Sequence, residues 1–305
     1  MAKLRSKLGW LIAAVALIGA GGVVFLRISE PHPLTESDLP AHVADIEHGR
    51  ILYTIGGCIS CHRPPKEDTA RQADLPSGGK PLATPLGPLY PPNITPDPVT
   101  GIGRWSKLDF VNAVYLGISP QGIHYIPAFP YTSYHRMPLA DILDLQAYMA
   151  ALPGVSAPDR ENRLPLDVLL RRGIGLWKRL AMPASMFQPD PAQADSWNLG
   201  AYLVNAPGHC SECHTPRNIL MIPDEKRHLA GGPHPEGKDR VPSLRNLISR
   251  GRYADAEELT SAMLFGETMG FDRLSSGGMG DVQANLAKLP EDNVRAIAEY
   301  LVSLK

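Results

Sequence analysis

The sequence has little cysteine, with four residues in a chain of 305, and this excludes a small scaffold held together by disulfides. It also lacks an excess of charge of either sign, because 30 Lys and Arg face 31 Asp and Glu, so the composition does not indicate a nucleic-acid partner. Long apolar runs are scarce too, and a single one occurs. Hydrophobic residues still make up 44% of the chain, which excludes a disordered protein.

Glycine and proline are abundant, at 28 and 30 residues, and predict long loops around short helices. The length suits two domains of roughly 150 residues each.

The single long apolar run extends from Leu8 to Leu26 and follows the basic residues Lys3, Arg5 and Lys7. As a helix its 19 residues would span about 28 Å, close to the thickness of a bilayer core. An uncleaved membrane anchor is favoured over a signal peptide, whose apolar part is shorter and ends in small residues. In both cases the basic end stays in the cytoplasm and the rest is exported. The predicted location is the bacterial inner membrane, with the bulk of the chain facing the periplasm.

All four cysteines belong to two copies of a C-x-x-C-H motif, Cys58-Ile-Ser-Cys61-His62 and Cys210-Ser-Glu-Cys213-His214. This motif attaches c-type haem: the two thiols add to the haem vinyl groups and the histidine binds the iron. A redox dithiol or half of a zinc site is the alternative, but neither explains the histidine in both copies. The sequence predicts two covalently bound haem c groups, with His62 and His214 as iron ligands.

The residues after each motif repeat. Gly78-Gly79, Pro92-Asn93-Ile94 and Gly103-Arg104-Trp105 begin 16, 30 and 41 residues after His62. Gly231-Gly232, Pro242-Ser243-Leu244 and Gly251-Arg252-Tyr253 begin 17, 28 and 37 residues after His214. Such repetition indicates a duplicated domain.

Each copy also has the helix order of a small class-I-like cytochrome c. A helix is predicted before each motif, over 44–55 and 196–204, and a closing helix with one apolar face over 139–152 and 291–304. The predicted fold is all-α: two tandem class-I-like cytochrome c domains behind one N-terminal transmembrane helix. The predicted boundaries are 1–30 for the anchor or signal, 43–153 and 191–305 for the two domains, and 154–190 for the linker.

A haem used for electron transfer commonly has a methionine as its sixth ligand. In the first domain Met137 is favoured because it lies in a Pro-rich loop just before the closing helix, whereas Met149 lies within that helix; His124 and His135 are alternatives. In the second domain Met279 is favoured because it follows two glycines. The alternatives to Met279 are Met269, followed by His228 and His234. Met263 has helical spacing and is expected in the core, and Met221 follows Cys213 too closely to reach the iron.

Four further residues have donors that could bind haem propionates: Arg104, Trp105, Arg252 and Tyr253. A loop that packs on the core at a helix start explains the same residues equally well.

Several segments resemble the cytochrome c subunits of bacterial membrane-bound dehydrogenases. They are PPNITPDPVTGIGRW (91–105), IPAFPYTSYHRM (126–137) and GHCSECHTPRN (208–218), and the likeness covers residues 43–305. Those subunits serve alcohol, aldehyde, gluconate, sorbitol and fructose dehydrogenases. The resemblance implies Met137 and Met279 as sixth ligands. Many of those subunits carry three haem domains and a C-terminal membrane segment, whereas this sequence has two motifs and an N-terminal apolar run.

The resulting hypothesis is a periplasmic, membrane-anchored dihaem cytochrome c without catalytic residues. Its expected partners are a periplasmic or membrane-bound dehydrogenase as electron donor and a respiratory acceptor, which is a quinone, an oxidase or another cytochrome. Two alternatives are a cytochrome subunit of a terminal oxidase and a dihaem peroxidase. Residues 167–180 of the linker combine basic and apolar side chains. An interdomain helix is favoured there over a partner-docking or membrane-surface helix.

Overall fold

The computed structural model describes residues 2–68, 70–84, 87–162, 167–234, 240–266 and 278–305, and these residues form a mostly helical protein. Twelve α-helices occur in them: α1 Ala2–Ile28, α2 Ile46–Ile55, α3 Cys58–His62, α4 Lys107–Leu116, α5 Tyr131–Tyr134, α6 Leu139–Ala150, α7 Asp167–Ala181, α8 Asp195–Asn205, α9 Ser211–His214, α10 Ala256–Phe265, α11 Gly278–Leu286 and α12 Glu291–Ser303. Two antiparallel hairpins pair β1 Leu82–Thr84 with β2 Gly87–Leu89, and β3 Gly232–Pro233 with β4 Arg240–Val241. Short 3₁₀ turns cover Glu36–Asp38 and Glu225–Arg227.

The helices predicted on either side of the two motifs are confirmed to within two residues at each end. Helix α2 begins after Asp45, whose side chain accepts hydrogen bonds from the backbone N–H groups of Glu47 and His48 at 2.9 and 3.0 Å. Such an N-cap satisfies backbone donors that have no partner inside the helix. The closing helices α6 and α12 each begin after a proline, Pro138 and Pro290, with nearly the same backbone angles.

Two pairs of helices cross at a glycine. Helix α2 packs on α6 so closely that a Cβ added to Gly49 would lie 2.0 Å from the carbonyl oxygen of Asp144. Helix α8 packs on α12 in the same way, and a Cβ added to Gly200 would lie 1.9 Å from the carbonyl oxygen of Ala296. Each helix that precedes a C-x-x-C-H motif is therefore held against its closing helix by the same close approach.

We call residues 43–153 the first segment and residues 191–305 the second segment. Their buried side chains form one continuous hydrophobic cluster, which includes Leu52, Met137 and Ile142 from the first segment and Leu203 and Val294 from the second. Because the cluster crosses between the segments, they pack directly on each other.

Helix α7 joins the two segments and buries a charged residue. The ammonium of Lys178 donates to the carbonyl oxygens of Leu116 and Gly117 at 2.5 and 2.8 Å and to Nδ1 of His124 at 3.1 Å. It also lies 4.4 Å from the centre of the Tyr131 ring, in a cation–π contact. Burial lowers the pKa of Lys178 to about 7.

Helix α1 contains the predicted apolar run. In the described part of the chain it is the one helix long and apolar enough to cross a membrane, with a mean hydropathy of 2.3 over Gly9–Ile28 and none of that stretch buried. A membrane anchor and a signal peptide both have these properties.

Candidate haem-binding sites

The two C-x-x-C-H motifs form short helices with the histidine at the end of each. Helix α3 follows Gly57, whose φ of 59° lies in the left-handed region that glycine adopts without strain. All four cysteines are described, and none of them is in a disulfide. Burial raises the pKa of the Cys58 and Cys210 thiols to about 12. Both of these thiols are therefore protonated at neutral pH.

The imidazoles of His62 and His214 are held in the same way. Nδ1 of His62 lies 2.8 Å from the carbonyl oxygen of Pro92, and Nδ1 of His214 lies 2.8 Å from that of Pro242. A carbonyl oxygen can only accept, so Nδ1 carries the proton and Nε2 presents its lone pair. Desolvation lowers the pKa of both imidazoles, which favours the neutral form that binds metals. The hydrogen bond fixes the ring orientation, as is common for metal-bound histidines.

The repeated glycine pairs support these histidines from the backbone. The N–H groups of Gly78 and Gly231 donate to the carbonyl oxygens of His62 and His214 at 2.6 and 2.7 Å. Both glycines have a positive φ, 73° and 72°, and a Cβ on either would lie within 2.6 Å of the backbone that follows Pro92 or Pro242. The repeat read from the sequence therefore corresponds to one local geometry built twice.

The candidate sixth ligands differ in their surroundings. Met137 is fully buried in the hydrophobic cluster between α5 and α6. Met279 is half-buried in the first turn of α11, a helix that was not predicted from the sequence. Met149 and Met263 are buried within α6 and α10, as expected for core residues. Met269 lies outside the described residues.

Three of the alternative histidine ligands, His124, His135 and His228, form hydrogen bonds within the protein. Nε2 of His124 lies 3.1 Å from the carbonyl oxygen of Ser29, and its Nδ1 accepts from Lys178. His135 stacks on Tyr115 with ring centres 4.1 Å apart and bonds through Nδ1 to the Tyr115 carbonyl oxygen. Nε2 of His228 lies 2.7 Å from Oδ1 of Asn205. Both ring nitrogens of His124 are thus engaged, whereas these contacts involve one ring nitrogen each of His135 and His228.

The four residues considered for propionate binding separate into two kinds. Arg104 and Arg252 are exposed, Trp105 is partly buried against the hydrophobic cluster, and Tyr253 is buried within it. The structure thus places the aromatic members in the core, where burial raises the pKa of the Tyr253 hydroxyl.

A fifth candidate for propionate binding, Tyr53, was not predicted from the sequence. The hydroxyl of Tyr53, on α2 five residues before Cys58, is buried and has no hydrogen-bond partner within the described part of the chain. A buried polar group without a partner is unfavourable unless a ligand or water satisfies it. Two anchored imidazoles, a buried thioether and this hydroxyl together fit the coordination and the carboxylates of a haem.

Each motif also contacts the other segment. In the second motif Glu212 accepts from the hydroxyls of Thr132 and Ser133 on α5, both at 2.8 Å, and pairs with Arg217. Burial opposes ionisation of Glu212, but Arg217 and the two hydroxyls together hold its pKa below the ordinary value.

In the first motif the Ser60 hydroxyl accepts from Asn285 on α11 at 3.0 Å. Nearby, Arg63 pairs with Asp281 on the same helix at 2.9 Å. The residue pairs that contact each other lie about 80 and 220 positions apart in the chain, so sequence periodicity gave no sign of them.

The motifs also approach each other directly. Nε2 of His209, next to Cys210, lies 3.2 Å from the carbonyl oxygen of Gly56, two residues before Cys58. The Tyr134 hydroxyl donates to the same oxygen at 3.2 Å, and its ring lies edge-on to His209 with centres 5.9 Å apart.

Comparison with known proteins identifies relatives that are c-type cytochromes or dehydrogenase subunits. No protein-family model matches the chain. A dihaem c-type cytochrome of Cereibacter sphaeroides is 38% identical over 95% of the chain and 96% of that protein. One subunit of the nicotinate dehydrogenase of Pseudomonas putida is 39% identical over 86% of the chain and 21% of its own length. The fructose dehydrogenase cytochrome subunit of Gluconobacter japonicus is 32% identical over 94% of the chain and 57% of its own length.

The chain therefore belongs to the dihaem c-type cytochromes. The resemblance to cytochrome c subunits of membrane-bound dehydrogenases is confirmed. The chain spans nearly all of the Cereibacter protein but about a fifth of the Pseudomonas relative and just over half of the Gluconobacter relative.

Proposed function

We propose that the chain carries electrons from a dehydrogenase to a respiratory acceptor through two covalently attached haems, one in each segment. The observation that carries this proposal is the repeated anchoring of His62 and His214 through Nδ1, which leaves two Nε2 atoms available for iron. Haem bound at these positions would supply one-electron redox chemistry. The two segments would then be tandem class-I-like cytochrome c domains with the boundaries 43–153 and 191–305.

The protein residues attach, orient and tune the cofactor. Cys58 with Cys61, and Cys210 with Cys213, would form the thioether bonds. His62 with Met137, and His214 with Met279, would be the iron ligands. Soft thioether sulfur favours the reduced iron and raises the potential. Tyr53, Arg104, Trp105, Arg252 and Tyr253 are the proposed propionate contacts, and of these the Tyr53 hydroxyl has the strongest structural support because it is buried without a partner.

The partner and the location are inferred from relatives and from α1. Cytochrome subunits of fructose, alcohol and gluconate dehydrogenases are among the relatives, and this supports a dehydrogenase as electron donor. An apolar, unburied α1 with a basic start supports attachment to the inner membrane with both haem domains in the periplasm. A quinone, an oxidase or another cytochrome would accept the electrons.

Purification of the tagged full chain from native membranes tests the proposal. Intact mass should show two haems, and Cys58→Ala with Cys61→Ala should leave one. The co-purified large subunit should be a dehydrogenase whose substrate reduces both haems. A core subunit of a terminal oxidase in its place, or peroxide consumption with carbon monoxide binding to the reduced protein, would contradict it.

A further inference from the structure

Helix α7 has an unusual distribution of side chains, because one of its four basic residues is buried while three of its four leucines are exposed. Lys178 is enclosed by backbone carbonyls, His124 and Tyr131, and Ile174 and Gly175 are buried beside it. Leu169, Leu176 and Leu180 are instead 58%, 42% and 65% exposed. Water-facing surfaces of helices are ordinarily polar, so an exposed row of leucines indicates a partner.

The exposed leucines lie on one narrow line. At about 100° per residue, Leu169, Leu176 and Leu180 fall within roughly 40° of one another, and Lys178 lies on the opposite side. Arg172 and Arg179 flank this line on one side and Trp177 on the other, at roughly 60–80° from its centre. A leucine line bordered by arginines and a tryptophan is the pattern of a helix that lies in a membrane surface.

A second exposed apolar group is attached to α7. The turn at residues 218–222 exposes Ile219 almost completely, at 97%, and about half of Leu220 and Met221. The indole N–H of Trp177 donates to the carbonyl oxygen of Leu220 at 2.8 Å, which fixes this turn beside the helix. We call Leu169, Leu176, Leu180 and Ile219–Met221 the apolar surface.

The apolar surface lies next to the point where α1 ends. The Arg179 side chain donates through Nε to the carbonyl oxygen of Ile28, the last residue of the apolar stretch, at 2.9 Å. Gly175 approaches Ser29 so closely that a Cβ there would lie 2.4 Å from the Ser29 carbonyl oxygen. If α1 crosses a bilayer, its lipid boundary falls at Ile28, and α7 is held at that boundary.

We infer that the apolar surface binds the periplasmic leaflet of the inner membrane, with α7 lying flat at the boundary between headgroups and acyl chains. The leucines and Ile219 would enter the acyl region, Trp177 would lie at the interface, and Arg172 and Arg179 would face anionic phosphates. This inference rests on the membrane location in the proposed function. It adds a second contact beside α1 that holds the haem domains against the bilayer.

Lipid photo-crosslinking of the full holoprotein tests the inference. The protein is placed in nanodiscs of phosphatidylcholine and phosphatidylglycerol that contain a phospholipid with a photoactivatable group near the start of its acyl chain. Adducts are mapped by mass spectrometry. We expect adducts in α1, in α7 and in residues 218–222.

Two variants sharpen the result. Leu176→Gln with Leu180→Gln should lower the α7 adducts roughly fivefold or more while α1 adducts persist, because two side chains leave the acyl boundary. Val43→Gln with Val99→Gln is the matched control, since both valines are exposed, at 92% and 79%, and lie outside the apolar surface. It should leave the adducts unchanged.

The outcomes separate the inference from the proposed function. Adducts in α1 without adducts in α7 or the 218–222 turn would overturn the inference and leave the membrane location intact. A chain that retains both haems but gives no lipid adducts anywhere would overturn the membrane location. Protein–protein crosslinks through α7 between two copies, or to a dehydrogenase subunit in the native complex, would assign the apolar surface to that protein and overturn lipid binding.

Discussion

Replacing Gly49 by alanine should separate α2 from α6 and destabilise the first segment. The added Cβ would lie 2.0 Å from the carbonyl oxygen of Asp144 and 2.9 Å from Cβ of Tyr148. To reach an ordinary contact the first distance must grow by about 1.4 Å, from 2.0 to 3.4 Å. Neither the backbone carbonyl nor a Cβ can rotate away, so the two helices must move apart.

The expected magnitude follows from packing. Overpacking a core typically costs about 1–3 kcal/mol, and a gap of 0.5–1 Å already loses a quarter to a half of the dispersion energy of the facing atoms. The better helix propensity of alanine returns about 1 kcal/mol. We expect a net loss of about 2 kcal/mol in the free energy of unfolding, at the upper end of this range, and a fall of about 4–8 °C in the melting temperature. Gly200→Ala should lower the free energy of unfolding by a similar amount, because its Cβ would lie 1.9 Å from the Ala296 carbonyl oxygen.

Gly173→Ala is the control. It lies in α7, no heavy atom would lie within 4 Å of its Cβ, and it should leave stability unchanged or raised by up to about 1 kcal/mol. Thermal unfolding of the three holoproteins followed by far-UV circular dichroism measures the effect, with haem content determined in parallel. A Gly49→Ala protein as stable as the Gly173→Ala protein would refute the close crossing of α2 and α6.

Three further predictions concern the haem sites. Met137→Ala and Met279→Ala should each keep both haems attached but convert one haem to high spin. That haem should lose its methionine–iron charge-transfer band. An unchanged low-spin spectrum would show that the replaced methionine is not a ligand. Because the Glu212 pKa is lowered in the folded state, its stabilisation is present above the ordinary value of 4.5 and lost as pH falls below it. Glu212→Gln should therefore flatten the pH dependence of urea unfolding between about pH 6 and 3, and an equally steep profile would contradict this. Tyr53→Phe should lower the potential of one haem in a redox titration, by roughly 40 mV for each kcal/mol by which the lost contact favoured the reduced over the oxidised state. Identical potentials would place the hydroxyl away from the haem.

Helices with a marked apolar face or clear end signals were predicted well from sequence. The closing helices α6 and α12 were expected at 139–152 and 291–304 and occur at Leu139–Ala150 and Glu291–Ser303. The repeated Gly-Gly and Pro positions were also found in the sequence. Their role was not, because a carbonyl oxygen on a histidine Nδ1 is a tertiary contact that no local periodicity encodes.

Two features show where sequence reasoning failed. Helix α11 was not predicted, although Val282 and Leu286 four residues apart carry a short helical signal. The burial of Lys178 was not predicted, although an interdomain helix was favoured at this segment. Its burial depends on carbonyl oxygens at the end of α4, about 60 residues earlier in the chain, and composition cannot reveal such a partner.

The contacts between the segments have a symmetry. The first motif meets α11 of the second segment, and the second motif meets α5 of the first. Such reciprocity is what an isologous twofold interface between identical subunits produces. The contacts within this one chain thus have the reciprocity of a homodimer interface. The two sides are not identical, because a serine hydroxyl forms the contact on one side and a buried carboxylate on the other. The two proposed haems would consequently differ in their electrostatic surroundings, which would give the pair an inherent direction.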